Sequence, residues 1–330
     1  MSKVKISVII TCYNKALYIR QAVESVVQQD YENMEIIVVD DDSTDGGVEI
    51  LRGVVQEYPQ VKVVFNEKNL GVTKNWARAC KLATGKYIAR LDGDDYWIDN
   101  KKLSKQVEIL EKNPEYGQCY TDYDILYPDG EIKHAVASNF VFARPENFAM
   151  HLVMMTTTMP GSWLVRTDLM RKINGEIDLD TVDDTFDIQL ELYAQTKVYY
   201  LDEVTVTYRF LTESDSKSED DQKMKGRMER LREAQWKYIE KYPDLFMKNS
   251  LENETNRSEL KMQMKSLREI IDNRDAEIVA KNVDIAAKSA EIVALRAKGY
   301  KIRNSLSYRI GRIVTAPLRL GKRIFRKRVV

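Results

Sequence analysis

Glu35-Ile36-Ile37-Val38-Val39-Asp40-Asp41-Asp42-Ser43-Thr44-Asp45 begins as an unbroken β-branched run and ends on three consecutive carboxylates followed by residues that start helices. Four apolar residues in a row, with no polar alternation, mark a strand buried on both faces, which a sheet covered by helices on each side provides. Working outward, the runs Ile6 to Thr11, Val61 to Phe65 and Tyr87 to Leu91 repeat the pattern, with helical stretches at Leu17 to Gln29, Gly46 to Glu57 and Val72 to Ala83 between them. Strands and helices alternating in this way predict an α/β fold: a mostly parallel sheet with helices on both faces, which takes its ligands beyond the carboxyl ends of the strands. Three of the four strands are followed there by polar residues: Thr11 to Asn14, Asp40 to Asp45, and Asp92 to Asp95.

Composition narrows the class. The chain has 330 residues, 44% of them hydrophobic, enough for one large core and an elongated addition. Its formal net charge of zero conceals an acidic body and a basic end, since residues 299–330 carry ten Lys or Arg and no Asp or Glu. Cys12, Cys80 and Cys119 lie far apart in apolar segments without CxxC spacing, and His134 and His151 are the two histidines, so structural zinc and a disulfide framework are not expected. A reducing cytoplasm fits. Cys12, Cys80, Trp76 and Trp163 read as core, and both histidines as surface. No apolar run approaches the roughly 20 residues of a membrane-spanning helix, and Ile6 to Ile10 is too short for a signal peptide. The expected location is the cytoplasm, peripheral on the inner face of the cell membrane.

Past Asp95 the pattern predicts a helix near Lys101 to Lys112, shorter strands at Gln118 to Tyr127 and Ser162 to Val165, and a helix from Asp184 to Gln195. Strand-like runs Lys197 to Leu201 and Val204 to Phe210 follow. Most of the polar stretch Leu211 to Gly226 reads as a mobile loop or lid, and Arg227 to Tyr242 as a helix closed by Pro243. These elements form one domain over residues 1–245. Over 250–298, Met264, Ile271, Ile278, Ile285 and Ile292 recur every seventh residue, one seam of a coiled coil and a route to a homo-oligomer. Arg274, Lys281 and Lys288 in the complementary seam weaken a tight pair. In the tail, residues 299–330, Ile302, Leu306, Ile310, Ile313, Leu320 and Ile324 form an apolar stripe among cations, a basic amphipathic segment suited to an anionic membrane surface. A phosphate backbone would not need that stripe, so no nucleic-acid partner is expected.

Chemistry concentrates at Asp92-Gly93-Asp94-Asp95. Carboxylates one residue apart in a loop can share a hard divalent ion, Mg²⁺ or Mn²⁺, and leave it open positions for a diphosphate. The competing reading is an acidic turn. Context decides between them. The segments Ser7 to Asn14, Glu35 to Asp45, and Ala83-Thr84-Gly85-Lys86-Tyr87-Ile88 leading into Leu91 to Asp95, in that order, resemble the family 2 glycosyltransferases of the GT-A, Rossmann-like fold. The resemblance covers about residues 4–212, and is to non-processive members of bacterial surface-polysaccharide type. It implies that Thr11 and Tyr13 line the nucleotide base, that Asp41 hydrogen-bonds it, that Asp92 touches the ribose and that Asp94 ligates the metal. Asp42 departs from the family's usual Gly or Asn.

The pair Asp183-Asp184 resembles the family's acidic pair that supplies the general base, with Asp184 preferred and Asp183 in reserve, although the family's following Trp is absent. At a helix start a carboxylate is held as an anion by the dipole and can accept a proton from a sugar hydroxyl; it can equally be a simple cap. Lys74, Arg78 and Arg90 flank the donor edge, as diphosphate partners or as solvated cations. The expected activity is transfer of one sugar, with inversion, from a nucleoside-diphosphate sugar to a glycan or lipid-linked acceptor. The alternatives are a membrane-tethered nucleotide-binding scaffold and a haloacid-dehalogenase-like phosphatase, the latter from the strand followed by Asp92-Gly93-Asp94.

Overall fold

The computed structural model describes residues 4–140, 143–155, 158–180, 184–211, 221–255, 276, 278–296 and 298. They fall into two units, residues 1–254 and 255–330. In the first, β1 (Ile6–Cys12), β2 (Met34–Asp40), β3 (Val61–Phe65) and β4 (Tyr87–Asp92) are joined by α1 (Ile19–Val27), α2 (Gly47–Glu57) and α3 (Val72–Leu82). All four are parallel, in the order β3-β2-β1-β4. Side chains alternate across a strand, so β1 feeds two cores. Ile6, Val8 and Ile10 pack with α1, α2 and α4 (Lys102–Lys112), whereas Ile9 packs with α3, α7 (Thr167–Glu176) and α8 (Asp184–Gln195). The buried cysteines and Trp76 and Trp163 belong to these cores, as expected.

The sheet continues beyond β4 with changed direction. Strand β8 (Leu164–Arg166) runs antiparallel to both β4 and β6 (Tyr116–Leu126), and β9 (Lys197–Arg209) lies parallel to β6. The short β5 (Tyr96–Trp97) closes that edge against β9, and β7 (Ile132–Lys133) pairs with β6. The runs expected as two strands are one: β9 is continuous, and its register against β6 jumps from Leu201 to Val204, so Asp202 and Glu203 bulge outward. Three helices went unread: α5 (Val136–Asn139), α6 (Phe148–Met154) and α7.

Other expectations are corrected. Residues 221–226 belong to α9 (Asp221–Lys241) and not to a loop, because Gln, Lys and Met favour helix even where a polar composition suggests otherwise; residues 212–220 of that stretch lie outside the described residues. Pro243 does not merely end a helix but starts α10 (Pro243–Thr255), at the first position, where its missing N–H costs nothing. His151 is not a surface residue. It lies fully buried on α6, its ring 5.2 Å from that of Phe186 and 5.7 Å from that of Tyr193, and burial pushes its pKa down to about 3. His134 is exposed, as expected, and shares a 2.8 Å hydrogen bond with Asp124.

At the amino ends of the strands, Ser7 donates to Glu35 Oε1 at 2.5 Å and its oxygen accepts the Gly85 N–H at 2.8 Å. A Cβ on Gly85 would stand 2.6 Å from the Ser7 nitrogen. The Ala83 to Ile88 segment therefore contributes close strand packing, at the end of the sheet opposite the acidic loops.

In the second unit residues 278–296 are helical, with Ile278, Ile285 and Ile292 exposed. Met264 and Ile271, and the whole tail from 299, lie outside the described residues, so the coiled coil and the membrane-binding segment remain proposals. No helix among the described residues is long and apolar enough to cross a membrane.

Candidate active site

Chain order runs from β1 outward to β2 and β3, then returns to β4 on the other side of β1. Sheets with such a reversal take their ligands at the carboxyl ends of the strands on either side of it, here β1 and β4. Thr11 is paired with Asp92 and Cys12 with Asp40, so three acidic or polar loops leave the sheet side by side. The Thr11 hydroxyl donates to Asp92 Oδ1 at 3.0 Å, and the Gly93 N–H donates to the Thr11 carbonyl at 2.8 Å. Gly93 has to be glycine here: a Cβ would meet the Thr11 oxygen at 2.9 Å and Ile19 Cδ1 at 3.1 Å. Tyr13, next in the chain after Cys12, stands 47% exposed.

The second loop supplies its own donors. Asp40 accepts the Ser43 N–H at 3.0 Å and the Ser43 hydroxyl at 2.6 Å. Asp41 is buried and accepts from Asn66 Nδ2 (2.7 Å), the Leu70 N–H (2.9 Å) and the Gly71 N–H (2.9 Å). Repulsion among Asp40, Asp41 and Asp42 is thus relieved inside the protein. Three of the roughly four lone-pair positions of Asp41 are thus taken by donors from the protein itself. Asp42 has φ 67° and faces solvent, which explains why Gly or Asn suits that position. Asp45, one residue before the Gly46 that caps α2, accepts the Gly47 N–H at 3.0 Å and the Ala16 N–H at 2.7 Å, tying the second loop to the first.

The third loop is held by cations. Arg90 is not a solvated residue: it lies buried, its guanidinium 4.7 Å from the Trp76 ring and its Nε donating to Asp92 Oδ1 at 3.3 Å. Lys74 pairs with Asp180 instead of facing the rim alone. Lys15, to which the sequence assigned nothing, reaches Asp94 Oδ2 at 2.6 Å. Burial lowers the Lys15 pKa, but Asp94, with Asp92 and Asp95 behind it, outweighs that and raises it. Arg209 stacks between Tyr18 and Tyr96, 4.8 Å from each ring, and donates to the Asp94 carbonyl at 2.5 Å. Asp95 is fully buried, and burial together with the charges of Asp94 and Asp92 pushes its pKa well above the carboxylate range. Its Oδ1 accepts the Arg209 N–H at 2.8 Å. Sequence reasoning missed Lys15, Asp95 and Arg209 as site residues; the third acid of the loop was the only signal.

The donor set suits a divalent cation. Asp92 and Asp94 are part-exposed carboxylates at one rim, their side chains 29% and 18% exposed, and a cation already sits on Asp94 in the form of the Lys15 ammonium. Among the described residues no three His, Cys, Asp or Glu side chains gather into a metal cage, so a metal held here would take its remaining ligands from a diphosphate and water. Asp184 is the first residue of α8, where the dipole favours an anion; Asp183 lies outside the described residues.

The sequence matches Glycosyl transferase family 2 over residues 7–173, about half of the chain. The chain belongs to this family. Among its relatives is TuaG of Bacillus subtilis strain 168, named for teichuronic acid biosynthesis, 31% identical over 213 residues that make up 63% of this chain and 80% of that protein. The uncharacterized Mycobacterium tuberculosis protein Rv1520 is 37% identical over 126 residues, 38% of this chain. The chain spans about a third of that relative's length, 36%. Among solved structures, the mannosyltransferase PcManGT of Pyrobaculum calidifontis, in complex with GDP-Man and Mn²⁺, has a TM-score of 0.53 at 17% identity, covering 65% of this chain and 59% of its own. Staphylococcus aureus TarS 1-349 has a TM-score of 0.50 at 21% identity, covering 62% and 60%. At such identities the likeness establishes the fold, which for this family 2 member is the expected GT-A arrangement. With the family shown, the phosphatase reading lapses.

Proposed function

We propose that this family 2 chain transfers one sugar per encounter from a nucleoside-diphosphate sugar to an acceptor hydroxyl, with inversion. The observation that carries the reading is the joined rim of β1 and β4, where Thr11 is hydrogen-bonded to Asp92, and Asp94 holds a cation beside the exposed Tyr13. Tyr13 and Thr11 line the base, Asp41 accepts from it, and Asp92 orients the ribose. Asp94 would hold Mg²⁺ or Mn²⁺, which when bound supplies charge neutralisation to the departing diphosphate. Asp184, with Asp183 next to it, accepts the acceptor's hydroxyl proton as that oxygen bonds to the anomeric carbon. The bond from that carbon to the diphosphate oxygen breaks, and the nucleoside diphosphate leaves with the electron pair.

The acceptor is a glycan or lipid-linked saccharide of a bacterial cell surface, a reading supported by the relative named for teichuronic acid biosynthesis. The basic tail places the enzyme on the inner face of the cell membrane, and the heptad segment offers a homo-oligomer. The test is release of nucleoside diphosphate from a panel of UDP-, GDP- and dTDP-sugars with Mn²⁺ or Mg²⁺, repeated in EDTA. Metal-dependent release from one donor class is expected. Nucleotide binding without release, from any donor, would favour the scaffold instead.

A further inference from the structure

The first rim loop, which follows β1, carries a cation that the reaction as described leaves unused. Lys15 follows Asn14, and its carbonyl accepts the N–H groups of Tyr18 and Ile19, both at 2.9 Å, which fixes its backbone at the mouth of α1. The next N–H, that of Ala16, is held by Asp45 Oδ2 at 2.7 Å. With the main chain pinned on both sides, only the long, rotatable side chain is free to change partner. Its ammonium lies 2.6 Å from Asp94 Oδ2, and the pair is half-sheltered, the two side chains 27% and 18% exposed. Asp94 is the carboxylate assigned to the divalent cation. One carboxylate oxygen cannot serve an ammonium and a divalent ion together without strong repulsion between the two. An ammonium released at this rim has a natural new partner in a diphosphate, which Lys binds as a point charge.

We propose that Lys15 is a resident counter-ion of Asp94 that gives up its place when donor and metal arrive, swinging its ammonium onto the diphosphate. The proposal rests on the donor-site reading above. It makes metal and nucleotide binding interdependent. In the nucleotide-free enzyme Lys15 competes for Asp94 and keeps metal affinity low; a diphosphate draws Lys15 away and raises it. The coupling is reciprocal, so metal raises nucleotide affinity by the same factor.

The experiment measures Mn²⁺ affinity from the electron paramagnetic resonance signal of free Mn²⁺, with and without saturating UDP or GDP. It uses the full chain and the Lys15→Met, Lys15→Gln and Lys15→Arg variants, each checked for folding by thermal melting. Without nucleotide, the Met and Gln variants are expected to bind Mn²⁺ at least about fivefold more tightly than the unaltered protein. They should also lose most of the enhancement that nucleotide brings, whereas Lys15→Arg should keep it. If Mn²⁺ and nucleotide bind but the Met and Gln variants match the unaltered protein, the Lys15 role is overturned and the donor site stands. If the unaltered protein binds no Mn²⁺ with either nucleotide, the donor-site reading falls and takes this one with it.

Discussion

Replacing Lys102 with Met should make the protein more stable at neutral pH and less stable at high pH. Lys102 opens α4 and is wholly buried; its ammonium donates to Gln106 Oε1 at 2.7 Å and lies 4.4 Å from the Trp97 ring. Burial pulls its pKa from 10.5 down to about 7, against weaker upward pulls from Cys119 and Asp99. The unfolded chain holds that proton up to the ordinary lysine value, so between about 7 and 10.5 the unfolded state binds more protons and stability rises with pH. Below that window the penalty is full. At about 1.4 kcal/mol per pH unit, it amounts to about 4 to 5 kcal/mol. Lys102→Met removes the penalty but strands Gln106 Oε1, at a cost of about 1 to 3 kcal/mol. The net gain near pH 6 is then about 1 to 4 kcal/mol, and above about pH 10 the sign reverses. Urea unfolding of both proteins across this range measures it. A variant less stable than the unaltered protein at pH 6 would refute the reasoning, since the buried charge would then have to be stabilising.

Gly93→Ala places a methyl 2.9 Å from the Thr11 carbonyl, so the loop must shift; overpacking of about 1 to 3 kcal/mol should appear in thermal melting together with weaker nucleotide binding by calorimetry. Asp184→Asn should abolish sugar transfer while nucleotide binding persists; transfer retained at the unaltered rate would remove Asp184 as the base. Deleting residues 299–330 should move the protein from the membrane pellet to the supernatant on fractionation, and persistence in the pellet would end the tail's role.

The first half of the fold was legible because its information is local. In β1 to β4 every strand is an apolar run of its own, and each intervening helix shows one apolar face, so the strand ends, and with them Thr11, Asp41, Asp92 and Asp94, could be placed within a residue or two. The second half is not local. Strand β9 looks like two strands because Asp202 and Glu203 interrupt its pattern, and only pairing with β6 reveals them as a bulge. Helix α6 hides because His151 reads as polar, while the aromatic surroundings that bury it come from α8. At the site, residue types revealed which acids gather, but not which cations answer them. Lys15 and Arg209 meet the Asp94-Asp95 stretch from β1's loop and from the end of β9, contacts that no spacing in the sequence announces. Which groups answer the acids of 40–42 was equally hidden, since the N–H and O–H donors on Asp40 and Asp41 include Leu70 and Gly71, some thirty residues away in the chain.

The central claim is that Asp94, beside Asp92 at the rim shared by β1 and β4, holds a divalent cation against a nucleoside diphosphate. A crystal of the protein grown with Mn²⁺ and UDP or GDP, read by the anomalous signal of manganese, addresses it directly. The account predicts a manganese peak against the Asp94 carboxylate, with the diphosphate beside it and the base next to Tyr13. Manganese and nucleotide bound away from this rim, with Lys15 still seated on Asp94, would contradict it.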